Sequence, residues 1–144
     1  MWIRNTEANH GNVFVDCAFT TIARPLPLGR PPAAVNPSPA TARAINVLAR
    51  LPNNHGLNYP YAEAVLINCR LKGISPAAWG PIEAETSHIH FWEFHSTDAD
   101  GHPIDVTERH PVSKQLTEPR DAQTIANYSD PAFVLGGWTP VVDR

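Results

Sequence analysis

The chain has 144 residues, of which 17% are charged, and its formal net charge is −3. Sparse, slightly negative charge argues against a nucleic-acid partner or an anionic membrane surface, and no apolar run approaches the ~20 residues of a membrane-spanning helix. Fifteen prolines and four tryptophans indicate a loop-rich β protein. Residues 1–144 are therefore expected to form one unit.

Two segments share a pattern of three apolar residues, an Asp or Asn, a Cys, any residue and an apolar residue. They are residues 13–19 (VFVDCAF) and 65–71 (VLINCRL), and a third apolar strand follows at residues 89–94 (IHFWEF). Strands that recur every ~20–50 residues are typical of a solenoid. We predict an all-β fold, a right-handed single-stranded parallel β-helix that is incomplete and holds the C-terminal rungs.

Alternation with a period of two assigns a buried face to the repeat. On this interpretation Val13, Val15, Cys17 and Phe19 lie on the buried face, and the equivalent odd-numbered positions of the second copy do the same. The other face carries Phe14, and the matching Asp and Asn lie on it in solvent. The two cysteines are interpreted as small buried apolar residues, and a disulfide between neighbouring rungs is the alternative.

A proline- and alanine-rich stretch, residues 23–44, separates the two copies. Proline removes ladder hydrogen bonds and breaks helices, so this stretch is predicted to be an inserted, exposed loop. Residues 45–50 form a short predicted strand, and a turn cluster follows it. The next predicted elements are a strand over residues 61–71, a loop over 73–85, an aromatic strand over 88–96 and a turn over 98–101.

One helix is predicted, over residues 118–128. Thr117 is expected to cap it, and Pro119 and Asp121 suit its first turn. Its expected apolar side consists of Ala122, Ile125, Ala126 and Tyr128. Since a solenoid needs a cover over its last rung, residues 117–128 are predicted to be a C-terminal capping helix.

Seven histidines raise the question of a metal site. His88 and His90 share one face of a predicted strand, but Glu93 and His95 fall on the other. Neither an HExxH nor a CxxC motif is present, so no metal site is predicted. Residues 98–101 (DADG) resemble half a calcium loop without its distal ligands and are interpreted as a plain turn.

Arg50 ends a short apolar strand just before a polar loop. A guanidinium in that place is able to hold a carboxylate through two parallel hydrogen bonds, and a plain surface arginine is the alternative. Tyr59 and Tyr61 offer flat surfaces for sugar rings and are the candidate substrate-binding residues. Trp79 and Trp92 share this property, although core packing is the preferred interpretation of Trp79.

Five motifs, taken in order, resemble the C-terminal part of the pectinesterases, also called pectin methylesterases. They are YPYAEAVLINC at residues 59–69, AWG at 78–80, FWEFHST at 91–97, SKQLT at 113–117 and GGWTP at 136–140. The resemblance covers roughly residues 10–142, apart from the proline-rich stretch. It agrees with the β-helix inferred from the repeat.

The resemblance implies hydrolysis of the methyl esters of galacturonan (pectin) without a cofactor. In the family one aspartate is the nucleophile, a second is the general acid, an arginine steadies the nucleophile and glutamines build the oxyanion hole. The family segments with these aspartates and glutamines have no counterpart here, and Asp16 matches a later rung. We therefore expect a fragment that lacks the catalytic aspartates and is inactive alone.

The family arginine belongs to an LGRPW motif, and two stretches compete for it. Residues 48–51 (LARL) stand directly before the tyrosine-rich rung, as the family order requires, whereas residues 28–31 (LGRP) match better by letter but lie in the insert. Arg50 is preferred and Arg30 is the alternative. Neither is followed by the family's tryptophan.

The resemblance also implies pectin as the partner and a monomer when the protein is complete. Secretion or a periplasmic location is implied as well, although the chain shows no signal-peptide pattern. The alternative function is a non-catalytic carbohydrate-binding or remnant β-helix domain. A polysaccharide lyase is a weaker third possibility, because it needs a calcium site.

Overall fold

The computed structural model of the protein describes residues 5–21, 46–51, 59–83, 85–138 and 141. Within them the chain is mostly strands with two short helices, which confirms the predicted all-β class. The strands are β1 (Asn12–Val15), β2 (Ala18–Thr20), β3 (Ala49–Leu51), β4 (Glu63–Ile67), β5 (Arg70–Lys72), β6 (Trp79–Ile82), β7 (His90–Phe94) and β8 (Lys114–Gln115), and the helices are α1 (Ala122–Ser129) and α2 (Pro131–Val134). The proline-rich stretch at 23–44, with Arg30, lies outside the described residues.

The strands form three short parallel sheets. One sheet has four strands in the order β1-β4-β7-β8, and the pairs β2-β5 and β3-β6 form the other two. Val13 pairs with Val65 and Val15 with Ile67, so the two copies of the repeat lie side by side in register. The sequence repeat thus corresponds to a repeat of parallel pairing.

A left-handed residue ends each of the first three strands of the large sheet. Asp16, Asn68 and His95 have φ values of 54°, 53° and 50°. Asp and Asn tolerate this conformation better than most residues because their short polar side chains bond locally. We call these three positions the corners. Beyond the first two corners the chain enters β2 and β5, which pair with each other in parallel.

The corners change the side-chain alternation, and the predicted single buried face is therefore wrong. Val13 and Val15 pack on one side of the large sheet, whereas Cys17 and Phe19, which follow the corner, pack on the other side together with Phe14. Phe14, predicted to face solvent, is part of the core. A run that reads as one strand is two strands joined by a residue with positive φ.

Two apolar clusters cover the two sides of the large sheet. The between-sheet cluster takes residues from all three sheets, and its buried members are Leu48, Ala49, Leu51, Ala62, Ala64, Leu66, Cys69, Leu71, Ala78, Trp79, Ile89 and Phe91. The helix-side cluster has as its buried members Val65, Ile67, Phe94, Leu116, Ile125 and Tyr128. Both cysteines are free thiols that pack in or against the between-sheet cluster.

The predicted capping helix is shorter than expected and has a different apolar side. It begins at Ala122, because residues 118–121 form a turn in which the backbone N–H of Thr117 donates to the Asp121 carboxylate (2.9 Å). Ile125 and Tyr128 are buried, but Ala122 and Ala126 are exposed.

Helix α1 covers a face of the large sheet. Ile125 and Tyr128 pack against Val65 and Ile67 in the helix-side cluster, whereas the sequence predicts a helix over the last rung. None of the described helices has the length and apolar character needed to cross a membrane.

The segment predicted as a loop over residues 73–85 contains a strand, β6. The sequence does not predict this strand, because its Gly-Pro pair is typical of loops. Pro81 is exposed in this strand. Proline has no backbone N–H, but β6 is an edge strand of a two-stranded sheet, where one side of the strand donates no hydrogen bonds to a partner. Trp79 is 2% exposed and its ring stacks on Phe91, with centroids 4.9 Å apart. The preferred core interpretation of Trp79 is confirmed.

Candidate functional site

The described residues that the sequence proposes as a site are Arg50, Tyr59 and Tyr61. Arg50 is exposed on β3 between the buried Ala49 and Leu51. Tyr59 is half-buried against the between-sheet cluster. Tyr61 lines a cavity of about 560 Å³, whose lining does not include Arg50 or Tyr59.

This cavity lies on the same side of the large sheet as helix α1. It is lined by the loop at residues 5–10, by side chains at the beginnings of β4 and β7, and by the end of α1 with the segment that follows. The lining residues are Asn5, Thr6, Glu7, Ala8, Asn9, His10, Tyr61, Glu63, His88, His90, Tyr128, Phe133, Val134, Leu135 and Gly136. We call it the Glu63 cavity.

The Glu63 carboxylate accepts four hydrogen bonds at the base of the cavity. One oxygen accepts from Nδ1 of His10 (3.0 Å) and from the backbone N–H of Gly11 (2.9 Å). The other oxygen accepts from Nδ1 of His90 (2.8 Å) and from the hydroxyl of Tyr128. The Glu63 side chain is only 5% exposed, so its remaining interactions with solvent are few.

These contacts keep Glu63 ionised. Burial raises the pKa of the Glu63 carboxyl, but the hydrogen bonds from His90, Tyr128, Gly11 and His10 together lower it more, to about 2. Burial, the hydrogen bond to Glu63 and the charge of Glu63 raise the pKa of Tyr128. We call Glu63 and the groups that donate to it the Glu63 cluster. At neutral pH its centre is therefore a carboxylate, with a neutral tyrosine that donates a hydrogen bond to it.

An ionised carboxylate only accepts hydrogen bonds, so Nδ1 of both histidines must carry a proton. The neutral form of each ring then has Nε2 as an open acceptor. Neither Nε2 atom has a hydrogen-bond partner among the described residues. His10 and His90 are 28% and 38% exposed, so solvent or a ligand reaches their rings.

Strand register accounts for the pairing of Glu63 with His90. The two residues are direct partners in the β4–β7 ladder, and oppositely charged or hydrogen-bonding pairs stabilise such positions. No sequence pattern singles out Glu63 as a site residue. Its signal is available only once the register is known, because the relevant neighbour lies 27 positions away.

The loop before β1 is fastened to the start of β4. Asn5 donates to the backbone oxygen of Tyr61 (2.6 Å) and accepts from the backbone N–H of Glu63 (3.0 Å). A Cβ atom at Gly11 would clash with the backbone oxygen of Glu63, so only glycine lets its N–H reach the carboxylate. This close approach brings His10 to the cluster.

An aromatic pair forms another part of the cavity wall. The rings of Tyr61 and His88 stack with centroids 4.8 Å apart and planes 23° from parallel. His88 lies in the turn before β7 rather than on the predicted strand. The charge of Glu7 raises the pKa of Tyr61, with smaller contributions from burial, a hydrogen bond to Glu7 and the charge of Glu85.

A second buried carboxylate, Glu93, lies on the opposite side of the large sheet. It accepts from Nε and Nη2 of Arg109 (2.9 and 3.1 Å), from the indole N–H of Trp79 (3.1 Å) and from the hydroxyl of Ser96 (2.8 Å). Arg109 also donates to the backbone oxygen of Pro76 (2.9 Å). Glu93 is fully buried, so this pair joins core segments. No sequence pattern singles out Arg109.

The turn predicted over residues 98–101 is present. Asp98 accepts from the backbone N–H groups of Asp100 (2.8 Å) and His102 (2.9 Å). The side chains of Asp98, Asp100 and His102 are the one group of three potential metal ligands (His, Cys, Asp or Glu) in the described part of the chain whose ligand atoms all lie within 4.8 Å of one another. His88, His90, Glu93 and His95 form no such group among the described residues.

Comparison of the chain with protein-family models, with curated proteins and with solved structures found no match. The Glu63 cavity is therefore interpreted from its own geometry. It offers two imidazole rings that a buried carboxylate holds in place and an aromatic wall, and such groups suit a ligand rich in hydroxyls.

Proposed function

We propose that the described strands are successive rungs of a right-handed, single-stranded parallel β-helix, and that the protein is a pectinesterase-type carboxylic ester hydrolase. Its substrate on this proposal is methyl-esterified galacturonan. The five motifs support the reaction and the substrate. The β-helix is supported by the in-register parallel pairing of β1, β4 and β7 and by the corners that recur at Asp16, Asn68 and His95.

The recurrence of the corners is the observation that carries the proposal. Backbone hydrogen bonds continue through them, from the N–H of Asp16 to the oxygen of Ile67 and from the N–H of Asn68 to the oxygen of Phe94, both 2.9 Å. Stacked turns of equal conformation make a long, regular wall. Such a wall suits an extended polymer better than a compact ligand.

Within this proposal Arg50 steadies the nucleophilic carboxylate. Its exposure on β3, between two buried neighbours, leaves its guanidinium accessible for a bidentate contact. The aspartates belong to rungs that precede the matched motifs, so the described rungs supply only part of the groove. The proposal includes pectin as the partner, no cofactor, a monomeric state and a secreted or periplasmic location.

Methanol release from methyl-esterified galacturonan tests this function in the protein as its gene encodes it. We expect release by the wild type and a loss of about 100-fold or more in kcat for Arg50→Ala and Arg50→Lys, by analogy with the removal of other transition-state contacts. Arg70→Ala is the matched control, because Arg70 is exposed on β5, and it should retain the activity. Release unaffected by Arg50→Ala would contradict the assigned role, and no release from a protein that includes the aspartate-bearing rungs would contradict the esterase proposal.

The second candidate function is non-catalytic carbohydrate binding. The Glu63 cavity favours it, because its aromatic pair and its hydrogen-bonding groups lie in one concave site. Binding of galacturonan oligomers without methanol release is the outcome that separates the second candidate from the first.

A further inference from the structure

We propose that the Glu63 cavity binds an uncharged sugar residue and, given the galacturonan substrate of the proposed function, selects the methyl-esterified galacturonate residue over the free acid. The identity of the polymer rests on the proposed function. The preference for an uncharged ring rests on the cavity alone.

The size and composition of the cavity suit a small polar ligand. Its volume of about 560 Å³ falls within the 300–1,000 Å³ that is usual for small-molecule sites. The polar groups converge on one side, around Glu63, and apolar side chains line another. Phe133 and Leu135 are 40% and 42% exposed there.

The aromatic pair supplies a surface for the apolar face of a sugar ring. Tyr61 is half-buried and lies against His88, which is exposed. A pyranose has one face made of C–H groups, and this face packs on flat aromatic rings as other apolar groups do. Hydroxyl groups at the ring edge remain directed to polar partners.

Those polar partners are acceptors. The Nε2 atoms of His10 and His90 have no hydrogen-bond partner among the described residues, and their Nδ1–H groups are held by Glu63. A sugar hydroxyl is able to donate to such a nitrogen. Hydroxyls therefore complement this end of the cavity better than a ligand without donors.

The charge of the lining disfavours an anion. While His10, His88 and His90 are neutral, its charges are the carboxylates of Glu7 and Glu63, and no lysine or arginine is among the described residues that line it. Free galacturonate brings a third carboxylate into this site, whereas the methyl ester is neutral. Like charges at close range raise the free energy of the complex.

Isothermal titration with galacturonate trimers tests this preference at pH 7.5, where free imidazoles are largely neutral. We expect the fully methyl-esterified trimer to bind about tenfold or more tightly than the unesterified trimer, a difference of about 1.4 kcal/mol. Equal or tighter binding of the free acid would overturn the proposal.

Variants locate the binding in the cavity. Tyr61→Ala should lower the affinity for the esterified trimer about tenfold. Tyr61→Phe, which keeps the aromatic ring, should bind this trimer as tightly as the wild type does. His102→Ala is the control, because His102 is exposed in the turn after β7 and is absent from the cavity lining. Unchanged binding by Tyr61→Ala, with a thermal midpoint equal to that of the wild type, would contradict the proposed site.

A galactose trimer separates this proposal from the esterase proposal. Binding of galactose oligomers that depends on Tyr61, in a protein that releases no methanol, supports the cavity and contradicts the esterase function. Methanol release that depends on Arg50, together with unchanged binding of every trimer by Tyr61→Ala, supports the esterase function and contradicts the proposed role of the cavity.

Discussion

The side-chain amide of Asn68 donates a hydrogen bond to the carboxylate of Asp16, 3.1 Å away. The two residues have the same left-handed backbone, with φ values of 53° and 54°, and they follow strands that pair in register. Their contact therefore links two equivalent corners.

Replacing Asn68 tests the contribution of this conformation to stability. Asn68→Ala should lower the free energy of unfolding by about 1–2 kcal/mol, because an alanine in the left-handed region is strained. Asn68→Gly loses the same hydrogen bond without that strain, so it should cost less than the alanine variant. Urea denaturation measures both, and equal losses would show that backbone strain at this corner is unimportant.

Removing one partner of the Glu93–Arg109 pair should be strongly destabilising. Glu93→Ala leaves a guanidinium that is 5% exposed without its partner, and buried pairs broken in this way typically lose about 3–5 kcal/mol. The double variant Glu93→Ala, Arg109→Ala should cost less than the sum of the single variants Glu93→Ala and Arg109→Ala. Thermal or urea unfolding of the four proteins gives the coupling energy.

A surface ion pair provides the control for this cycle. Arg120 is 66% exposed and pairs with Asp121 at 2.9 Å, and exposed pairs are worth about 0–1 kcal/mol. Arg120→Ala should therefore change stability far less than Glu93→Ala does. A loss of similar size in both variants would indicate that Glu93 is not held as a buried charge.

The sequence predicts the parallel repeat correctly because apolar and β-branched residues recur at Val13 and Val65 in the same local pattern. It does not predict the side of the sheet on which Cys17 and Phe19 pack. Asp16 adopts a positive φ because β1 pairs with β4, and this long-range contact is not visible in the local sequence. Period-two alternation assumes an unbroken strand and therefore assigns the wrong face after the corner.

The Glu63 cluster escapes sequence reasoning for a different reason. The side chains that contact Glu63 come from a loop, a strand and a helix and lie up to 65 positions from it in the sequence, and no local pattern marks them as one site. The β4–β7 register brings His90 to the carboxylate, the position of α1 brings Tyr128, and the loop fastened at Gly11 brings His10. Helix α1 itself was predicted, but the surface that it covers depends on the fold of the whole sheet.

Both faces of β4 should prove essential to stability, in contrast to the single buried face predicted from alternation. Leu66 lies in the between-sheet cluster and Ile67 in the helix-side cluster, with exposures of 0% and 1%. Leu66→Ala and Ile67→Ala should each cost about 2–5 kcal/mol. Val15→Ala, at a half-buried position on β1, should cost less. A negligible loss for Leu66→Ala would restore the one-faced interpretation.

The stability contributed by Glu63 should depend on pH in the acidic range. Its pKa is about 2 in the folded protein, compared with an ordinary value of 4.5. A carboxyl whose pKa is lowered by folding stabilises the protein fully above the ordinary value, and this contribution disappears as pH falls through the folded value. The shift corresponds to a contribution of about 3 kcal/mol.

Comparison with Glu63→Gln isolates this contribution, because glutamine has nearly the same shape and does not ionise. At pH 6 the wild type should be the more stable protein, and the difference in the free energy of unfolding should shrink between pH 4.5 and pH 2. Other carboxylates with lowered pKa values, such as Asp98 and Asp121, titrate in both proteins and cancel in the difference. A difference that stays constant over this range would show that the hydrogen bonds to Glu63 do not favour its ionised form.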